Sequence, residues 1–398
     1  ELVSDELTDG PHNNIDLQNA PSLVNGGVYD IEFNGKDYAT NSAKTIFIEK
    51  MHFDNESPDV TISRPLNSEQ IKSTVVSYSI TEDLANAVAI FEQTSGTVDL
   101  NSPHRVDLTG NNLTKGLHSD IDLNITANLA DGGRYTFLIE GVDRAGNPLI
   151  ITPVEDVFFD LLPPNLTLDN PPNGSRINSP IITYGTSEDM GKGIITFTRV
   201  SGSEDPNSPH TVNLTGQRLQ QGTHYDESFD SDINLKDGSI YSIVFSGEDL
   251  AGNIATDVSI SNITFDSSPP VISIKNPKSN GFYNAMSLEF SINENLKSAI
   301  VLLKSKGGAS DPLSPHSVEI DAEFLSQGNH SGLLLDQIAS LASNSIYDIS
   351  IQAVDIAGNE GSSESIIKVT YDDIPPELLI TAPEVESFIN IPALGLRT

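Results

Sequence analysis

The feature that most constrains this chain is a five-residue phrase that recurs at a fixed interval. "DRAGN" at residues 143–147 returns as "DLAGN" at 249–253 and as "DIAGN" at 355–359, an interval of 106 residues each time. A weaker copy, "DYATN", lies one interval further upstream at 37–41. This repeat predicts tandem domains rather than a solenoid, because about 100 residues can bury a core of their own.

Other residues keep the same interval without drift, which fixes the boundaries of the repeats. The series are Tyr29, Tyr135, Tyr241 and Tyr347; Asp54, Asp160, Asp266 and Asp372; and Glu82, Glu188 and Glu294. We expect three complete domains, at 57–162, 163–268 and 269–374. Residues 1–56 resemble the second half of a preceding copy, and residues 375–398 the start of a further one. The chain is thus expected to be a window from a longer array, with other copies of the repeat as its neighbours.

Each copy is predicted to be all-β. Apolar and polar residues alternate in "VVSYSI" (75–80), "RYTFLIE" (134–140), "SIYSIVFS" (239–246) and "SIYDISIQA" (345–353). Clusters of Gly, Pro, Asn and Asp interrupt these segments at short intervals. About seven strands fit in one copy, which is the size of an immunoglobulin-like or fibronectin III-like β-sandwich. The Tyr series follows a turn at the start of a strand, where such sandwiches place a tyrosine corner.

Charge and composition narrow the classes of function. The chain has 21 Lys and Arg against 56 Asp and Glu, a formal charge of −35, so it repels nucleic acid and anionic membranes and favours cations. It has no Cys, which excludes disulfides and thiolate sites and favours a prokaryotic surface over a eukaryotic extracellular one. No apolar run is long enough to cross a bilayer. Phosphate loops, HExxH and GxSxG are absent, so we expect no enzymatic activity.

Three acidic positions of the repeat are predicted to meet at each joint between domains. The Asp of "DxAGN" lies in the loop between the last two strands, and a Glu ends the second strand. Both belong to the end where the chain enters the domain, beside the Asp of the linker. The predicted sets are Asp54, Glu82 and Asp143; Asp160, Glu188 and Asp249; and Asp266, Glu294 and Asp355.

Such carboxylate sets suit calcium, which takes six to eight oxygen ligands in flexible geometry. Asp83, Asp189, Asn147, Asn253 and Asn359 are candidates for further ligands. The alternative is turn chemistry, in which the "DxAGN" Asp bonds its own backbone in an Asx-turn and the linker Asp is solvated. The third copy also has "NENL" where the first two have "ED".

Histidines and a further Asp repeat within each copy and allow two interpretations. They are Asp99, His104 and His118; Asp205, His210 and His224; and Asp311, His316 and His330. Two His and a carboxylate per domain could form a zinc or other transition-metal site. In "SPH" and "GxH", however, the contexts are turn-like, and His there often caps backbone groups instead.

The alternating strands, the "DxAGN" turn and the "FDxxPP" linker resemble bacterial immunoglobulin-like repeats of large surface adhesins. The acidic joints resemble those of cadherin-type modules. The resemblance covers essentially the whole chain and implies an extracellular stalk or adhesive array, often stiffened by calcium.

Two other functions are compatible with the sequence. A subunit of a self-assembling surface layer or filament would also consist of repeated sandwiches. An accessory ligand-binding region of a secreted carbohydrate-active enzyme is less favoured, because aromatics are only 6% and no Trp is present to stack on sugars.

Overall fold

The computed structural model describes residues 2, 7–13, 15, 21–382, 388 and 395–397. The predicted partial repeats at 1–56 and 375–398 therefore lie partly outside the described residues. Strands dominate, as the alternation predicts, and no helix within the described ranges is long and apolar enough to cross a membrane. Contacts divide the chain into two units: unit 1 is Glu1–Pro164 with Glu248–Ala255, and unit 2 is Asn165–Gly247 with Thr256–Thr398.

Unit 1 holds a hairpin followed by a two-sheet sandwich, here called the first sandwich. The strands are β1 (Gly27–Phe33), β2 (Ile46–Phe53), β3 (Val60–Arg64), β4 (Gln70–Ile71), β5 (Val75–Ile80), β6 (Leu84–Gly96), β7 (His104–Leu108), β8 (Gly116–Asp122), β9 (Gly133–Asp143) and β10 (Val154–Phe159). Strands β1 and β2 pair only with each other. The sandwich has a three-stranded sheet, β3-β5-β8, and a five-stranded sheet, β4-β10-β9-β6-β7, in which β4 runs parallel to β10.

The strands that follow repeat this topology twice, as the second and third sandwiches. The second has β11 (Leu166–Asn170), β12 (Arg176–Ile177), β13 (Ile181–Thr186), β14 (Met190–Gly202), β15 (His210–Asn213), β16 (Gly222–Ser228), β17 (Ser239–Asp249) and β18 (Val258–Phe265). The third has β19 (Ile272–Asn276), β20 (Phe282–Tyr283), β21 (Ser287–Ile292), β22 (Leu296–Gly308), β23 (His316–Glu319), β24 (Gly328–Leu334), helix α1 (Leu335–Ile338), β25 (Ser345–Asp355), β26 (Glu360–Ser362) and β27 (Ile366–Tyr371). A terminal pair, β28 (Leu379–Ala382) and β29 (Gly395–Arg397), follows.

The alternation seen in the sequence places one face of each sheet in a shared core. In the first sandwich, Val76 and Tyr78 of the three-stranded sheet pack in one buried cluster with Tyr135, Phe137 and Ile139 of the five-stranded sheet. The third sandwich repeats this cluster with its own residues. Burying one large apolar side chain contributes roughly 1.5–3 kcal/mol, so two facing sheets of this kind hold each other without disulfides.

The predicted tyrosine corner is confirmed in all four copies. The backbone N–H of Ala130 donates to the hydroxyl of Tyr135 over 2.8 Å, and the N–H of Lys236 and Ala342 donate to Tyr241 and Tyr347 over 2.9 Å. The hairpin repeats the contact, since the N–H of Val24 donates to Tyr29 over 2.8 Å. This bond pins each turn to the strand that follows it.

Candidate metal centres

Of the three predicted carboxylate sets, the first comes together within unit 1 and the third comes together within unit 2. Asp54 follows β2, Glu82 lies between β5 and β6, and Asp143 ends β9. One ligand oxygen from each lies within 4.8 Å of the other two. In unit 2, Asp266 follows β18, Glu294 lies between β21 and β22, and Asp355 ends β25. One ligand oxygen from each of these three residues also lies within 4.8 Å of the other two.

The second set is divided between the units. Asp160 and Asp249 belong to unit 1, and Glu188 belongs to unit 2. Both aspartates are buried. Burial raises the pKa of Asp160, and the charges of Asp249 and Asp131 raise it further. Charge repulsion is therefore present between the linker Asp and the "DLAGN" Asp, as in a carboxylate cluster.

The Asp of "DxAGN" also forms the Asx-turn that the sequence left open as an alternative. In the first copy, Oδ1 of Asp143 accepts the N–H of Ala145 over 2.8 Å and the N–H of Asn147 over 2.9 Å. Burial raises the pKa of Asp143, but these hydrogen bonds outweigh it, so the pKa lies below its ordinary value. The carboxylate is thus kept charged inside the cluster.

The Asn of the same loop bonds the linker directly. The Nδ2 amide of Asn359 donates to the backbone carbonyl of Asp266 over 2.8 Å, and also to Oδ2 of Asp355 over 2.8 Å. Asn253 makes the corresponding bond to the carbonyl of Asp160 over 3.0 Å, and Asn147 that to Asp54 over 3.3 Å. The loop therefore holds the linker through neutral hydrogen bonds at three equivalent places.

A second contact reaches the glycine of the same loop. The ammonium group of Lys72 donates to the carbonyl of Gly252, and at the equivalent position Asn178 lies against Gly358, which has a φ of +101°. Lys72 and Asn178 are 106 residues apart, as are Gly252 and Gly358, so the two contacts lie at equivalent positions of the repeat. The glycine is the same in both, but its partner changes from Lys to Asn. Sequence reasoning missed this contact because only the spacing, and not the chemistry, is repeated.

The charge repulsion within the carboxylate sets is clearest in the raised pKa of their glutamates. Burial raises the pKa of Glu82, and the neighbouring charges of Asp54 and Asp143 raise it further. Burial, Asp266 and Asp355 raise the pKa of Glu294 in the same order, partly offset by Asn293 and Arg176. Without a cation, the folded chain therefore disfavours the charged form of both glutamates.

A cavity of about 180 Å³ lies beside the set in unit 2. Its walls include Asp266, Glu294, Asn295 and Gln327, whose side chains carry oxygen atoms that can serve as metal ligands. One guanidinium also reaches it, because Arg176 lies 3.5 Å from the carboxylate of Asp266. The donors are carboxylate and amide oxygens, which are the ligands that hard cations take.

Asp83 and Asp189, considered as further ligands, bind the neighbouring loop instead. Oδ1 of Asp83 accepts the N–H of Lys115 over 2.9 Å, and Oδ1 of Asp189 accepts the N–H of Gln221 over 2.7 Å. Asn295 does the same in the third sandwich, accepting the N–H of Gln327 over 2.8 Å. The change from "ED" to "EN" in the third copy therefore conserves this hydrogen bond.

The repeated histidines separate into two structural roles. Among the described residues, every group of three or more potential metal ligands is composed of Asp and Glu alone. His104 lies on β7 of the five-stranded sheet, whereas His118 lies on β8 of the three-stranded sheet. The structure thus does not gather Asp99, His104 and His118 into one site, nor their equivalents Asp205, His210 and His224, or Asp311, His316 and His330.

The first His of each copy belongs to a buried Asp–His–Tyr cluster. Nε2 of His104 donates to Oδ2 of Asp99 over 2.6 Å, and the hydroxyl of Tyr135 donates to the same oxygen over 2.8 Å. The second and third copies repeat both bonds at 2.6 and 2.5 Å. This cluster ties the loop before β7 to the tyrosine corner.

The second His of each copy packs on an aromatic ring and caps a turn. The ring of His118 lies 4.9 Å from that of Tyr78, and its Nε2 lies 2.8 Å from the carbonyl of Thr114. His224 and His330 repeat the arrangement on Tyr184 and Phe290. These contacts match the structural interpretation of the "GxH" segments.

Replacing Asn359 by Ala is expected to loosen the third joint by about 1–2 kcal/mol, because two hydrogen bonds are lost and the buried carboxylate of Asp355 is left without one of its donors. Thermal unfolding in EDTA should show a lower melting temperature. The exposed Asn284, replaced by Ala in the same sandwich, is the control and should leave it unchanged. Equal melting temperatures for the two variants would contradict the assigned role of the Asn359 amide.

Comparison with known proteins agrees with the repeat and the sandwiches. The family model of the bacterial Ig-like domain (group 3) matches residues 14–170 and 223–381. A search of curated proteins returns no match.

Two solved structures are similar to the chain at low identity. The FN1-FN3 domains of chicken CNTN1 are 15% identical, with 79% of this chain and 99% of that one covered, at a TM-score of 0.28. The fibronectin(III)-like modules of Clostridium thermocellum CbhA are 14% identical, with 52% and 94% covered, at a TM-score of 0.25. Scores this low carry no weight for the arrangement of the domains, so the assignment rests on the family match. Because that match spans well over half of the residues, this chain of tandem all-β sandwiches belongs to the bacterial Ig-like domain (group 3) family.

Proposed function

We propose that this chain is a non-enzymatic, extracellular stalk or adhesive array whose joints are stiffened by calcium. The observation that carries the proposal is the recurrence of three carboxylates within 4.8 Å of one another at the joints that lie inside units 1 and 2. The three come from the linker, from the end of one strand and from the "DxAGN" loop. A cation held by all three would therefore cross-link the linker, the strand end and the loop, in addition to the hydrogen bond from the loop Asn to the linker.

Electrostatics favours a cation at these places. Two like charges about 5 Å apart repel by roughly 3 kcal/mol at an effective dielectric constant near 20. Hydrogen bonds lower the pKa of Asp143 and so keep its carboxylate charged. Protonation of Asp143 therefore does not relieve the repulsion that Glu82 experiences. A divalent cation turns the repulsion into attraction.

The donor chemistry favours calcium over transition metals. The sets offer carboxylate oxygens, and Asn295 and Gln327 add amide groups beside the set in unit 2. Zinc prefers nitrogen and sulfur donors, and magnesium demands near-ideal octahedral geometry, whereas calcium accepts irregular oxygen cages. Extracellular modules typically bind it with a Kd of about 10⁻⁴–10⁻³ M.

The family and the composition support the extracellular setting. Bacterial Ig-like domains are typical of secreted and cell-surface proteins, and millimolar calcium is available outside cells. A formal charge of −35 and the absence of Cys are compatible with that location. The recurring features serve joints, turns and cores, which is the pattern of a spacer rather than of a catalyst.

Calcium is expected to raise the melting temperature of the chain and to narrow its range of shapes. Small-angle scattering of the whole chain in millimolar calcium should give a longer, better-defined maximum dimension than in excess EDTA. Magnesium at the same concentration is the control and should have a much smaller effect. Identical scattering and melting in calcium and EDTA would refute the calcium joints and leave a chain of sandwiches with solvated acidic linkers.

A further inference from the structure

The two carboxylate sets that gather within one unit differ in their basic neighbours. The first joint is the set Asp54, Glu82 and Asp143, and the third joint is the set Asp266, Glu294 and Asp355. In the third joint, Nη1 of Arg176 lies 3.5 Å from Oδ2 of Asp266. Among the residues that the structure describes, no Lys or Arg forms an ion pair with the three carboxylates of the first joint.

Backbone pairing places Arg176 beside the linker. Arg176 lies on β12 and is the parallel partner of Thr264 on β18. The N–H of Asp266 then donates to the carbonyl of Ile177 over 2.9 Å, which fixes the linker against the same short strand. Oδ1 of Asp266 accepts the N–H of Ser268 over 3.3 Å, and Oδ2 faces the guanidinium. The ion pair therefore follows from the register of the strands.

The other copies have no cation at the position of Arg176. The interval places Gln70 there in the first sandwich and Phe282 in the third. Gln70 has the same parallel pairing with β10, and the N–H of Asp160 donates to the carbonyl of Ile71 over 2.9 Å. The backbone arrangement is thus repeated while the side chain changes. Because the fold does not require an Arg here, the charge of the joint is the property that Arg176 alters.

A permanent positive charge suits a crowded carboxylate set. Burial raises the pKa of Glu294, and Asp266 and Asp355 raise it further, whereas the charge of Arg176 lowers it. A guanidinium stays protonated throughout the pH range in which proteins are folded, so it offsets the repulsion without any metal. The side chain of Arg176 is 51% exposed, and that of Asp266 is 14% exposed. Arg176 can therefore turn out into solvent when a stronger cation enters.

We propose that Arg176 is a built-in counter-cation of the third joint, which keeps Asp266 beside Glu294 without metal and which calcium must displace. The calcium part of this inference rests on the proposed function. The third joint should then stay ordered at calcium concentrations too low for the first joint. It should also bind calcium about tenfold more weakly than the first joint, the size expected for displacing one half-exposed charge. The array thus contains joints of two kinds, of which one depends less on metal.

Amide hydrogen exchange of the whole chain, followed by mass spectrometry in both joints at once, tests this inference. Arg176→Gln gives the third joint the side chain that the repeat has at Gln70. In EDTA, the loop 355–359 should exchange severalfold faster in this variant, with the loop 143–147 unchanged. In a calcium titration of the wild type, protection of 355–359 should need about tenfold more calcium than protection of 143–147. In the variant this difference should disappear.

Two further variants separate the charge of Arg176 from its size and from the net charge of the chain. Arg176→Lys keeps the charge and should behave as the wild type in EDTA and in calcium. Lys304→Gln removes an exposed charge from unit 2, on the part of β22 away from Asp355. It should leave the exchange of both loops unchanged.

The outcomes distinguish a failure of this inference from a failure of the calcium joints. If 355–359 exchanges equally in the wild type and in Arg176→Gln, in EDTA and throughout the titration, the counter-cation is overturned, even where calcium protects both loops. Protection of 355–359 at lower calcium than 143–147 in the wild type would overturn it too. If calcium protects neither loop, the calcium joints are refuted, whereas faster exchange of Arg176→Gln in EDTA would still establish the counter-cation.

Discussion

Replacing Asp99 by Asn is expected to destabilise the first sandwich by about 3 kcal/mol, because hydrogen bonds to a charged acceptor contribute about 1.5–3 kcal/mol each and two buried donors lose that acceptor. The carboxylate is 3% exposed and accepts hydrogen bonds from His104 and Tyr135 on one oxygen. Its other oxygen accepts the N–H of Asn101 over 3.0 Å. An amide in its place presents a donor or a weaker acceptor to two buried donors. For a domain of this size, the melting temperature should fall by more than about 10 °C.

The pH dependence of stability gives the same cluster a second test. Burial raises the pKa of Asp99, but the hydrogen bonds from His104, Tyr135 and Asn101 outweigh it, so the pKa lies below its ordinary value. The folded chain thus binds this proton less tightly than the unfolded chain. The stabilisation is complete above the ordinary pKa of Asp and is lost as the pH falls through the lowered one. The Asn variant should lack this acid-dependent component.

Two variants separate the cluster from general surface charge. Asp107 is exposed on the same strand as His104, and Asp107→Asn should leave the melting temperature nearly unchanged. Tyr135→Phe should destabilise too, because Asp99 loses one donor and the N–H of Ala130 loses its acceptor. If Asp99→Asn has the same melting temperature as the wild type at neutral pH, the Asp99–His104–Tyr135 cluster does not stabilise the sandwich.

The joints show how far a single repeated sequence can be interpreted. The interval of 106 placed the linker Asp, the strand-end Glu and the "DxAGN" Asp at one end of each domain, and the structure brings Asp54, Glu82 and Asp143 together. What the sequence could not decide was whether Asp143 serves a turn or a cation, because a carboxylate that accepts the N–H groups of a loop can still offer an oxygen to a cation. In the structure, Oδ1 accepts two N–H groups of the loop and Oδ2 accepts the side-chain amide of Asn147, which leaves a lone pair on Oδ2 for a cation.

The histidines show where spacing misleads. His104 and His118 lie 14 residues apart in each copy, which allows a shared metal, but the strands that carry them belong to different sheets. Whether two strands join one sheet depends on pairing across the whole domain, and no local pattern encodes that. Asp99 and His104 are close in sequence, whereas Tyr135, the third member, is reached only through the fold.

Glycines carried a signal that the sequence reasoning did not use. Gly96, Gly202 and Gly308 keep the same interval and all have positive φ. A Cβ added to Gly202 would lie 2.3 Å from the carbonyl oxygen of Gly238, which no side chain can tolerate. The repetition of a Gly at these places marks a close approach of two backbones, and it was available from the spacing alone.

Replacing Glu294 by Gln is expected to change the stability of unit 2 in opposite directions with and without calcium. In EDTA the neutral side chain should raise the melting temperature, because burial and the charges of Asp266 and Asp355 raise the pKa of Glu294 and so disfavour its charged form. In calcium the variant should be less stable than the wild type, because the cation loses a charged ligand. Calcium at about 100 times its Kd would stabilise the wild type by about 2.7 kcal/mol, and most of that gain should be missing in the variant.

This reversal distinguishes a cation site from an acidic turn more sharply than either condition alone. Glu289 is exposed in the same sandwich, and Glu289→Gln should respond to calcium as the wild type does. If the carboxylates are merely solvated, Glu294→Gln should stabilise slightly in both conditions, and the two melting curves of each protein should coincide. If the joint binds calcium through these residues, the wild-type and variant melting temperatures should cross as calcium is titrated. The calcium concentration at the crossing would then reflect the affinity of the joint.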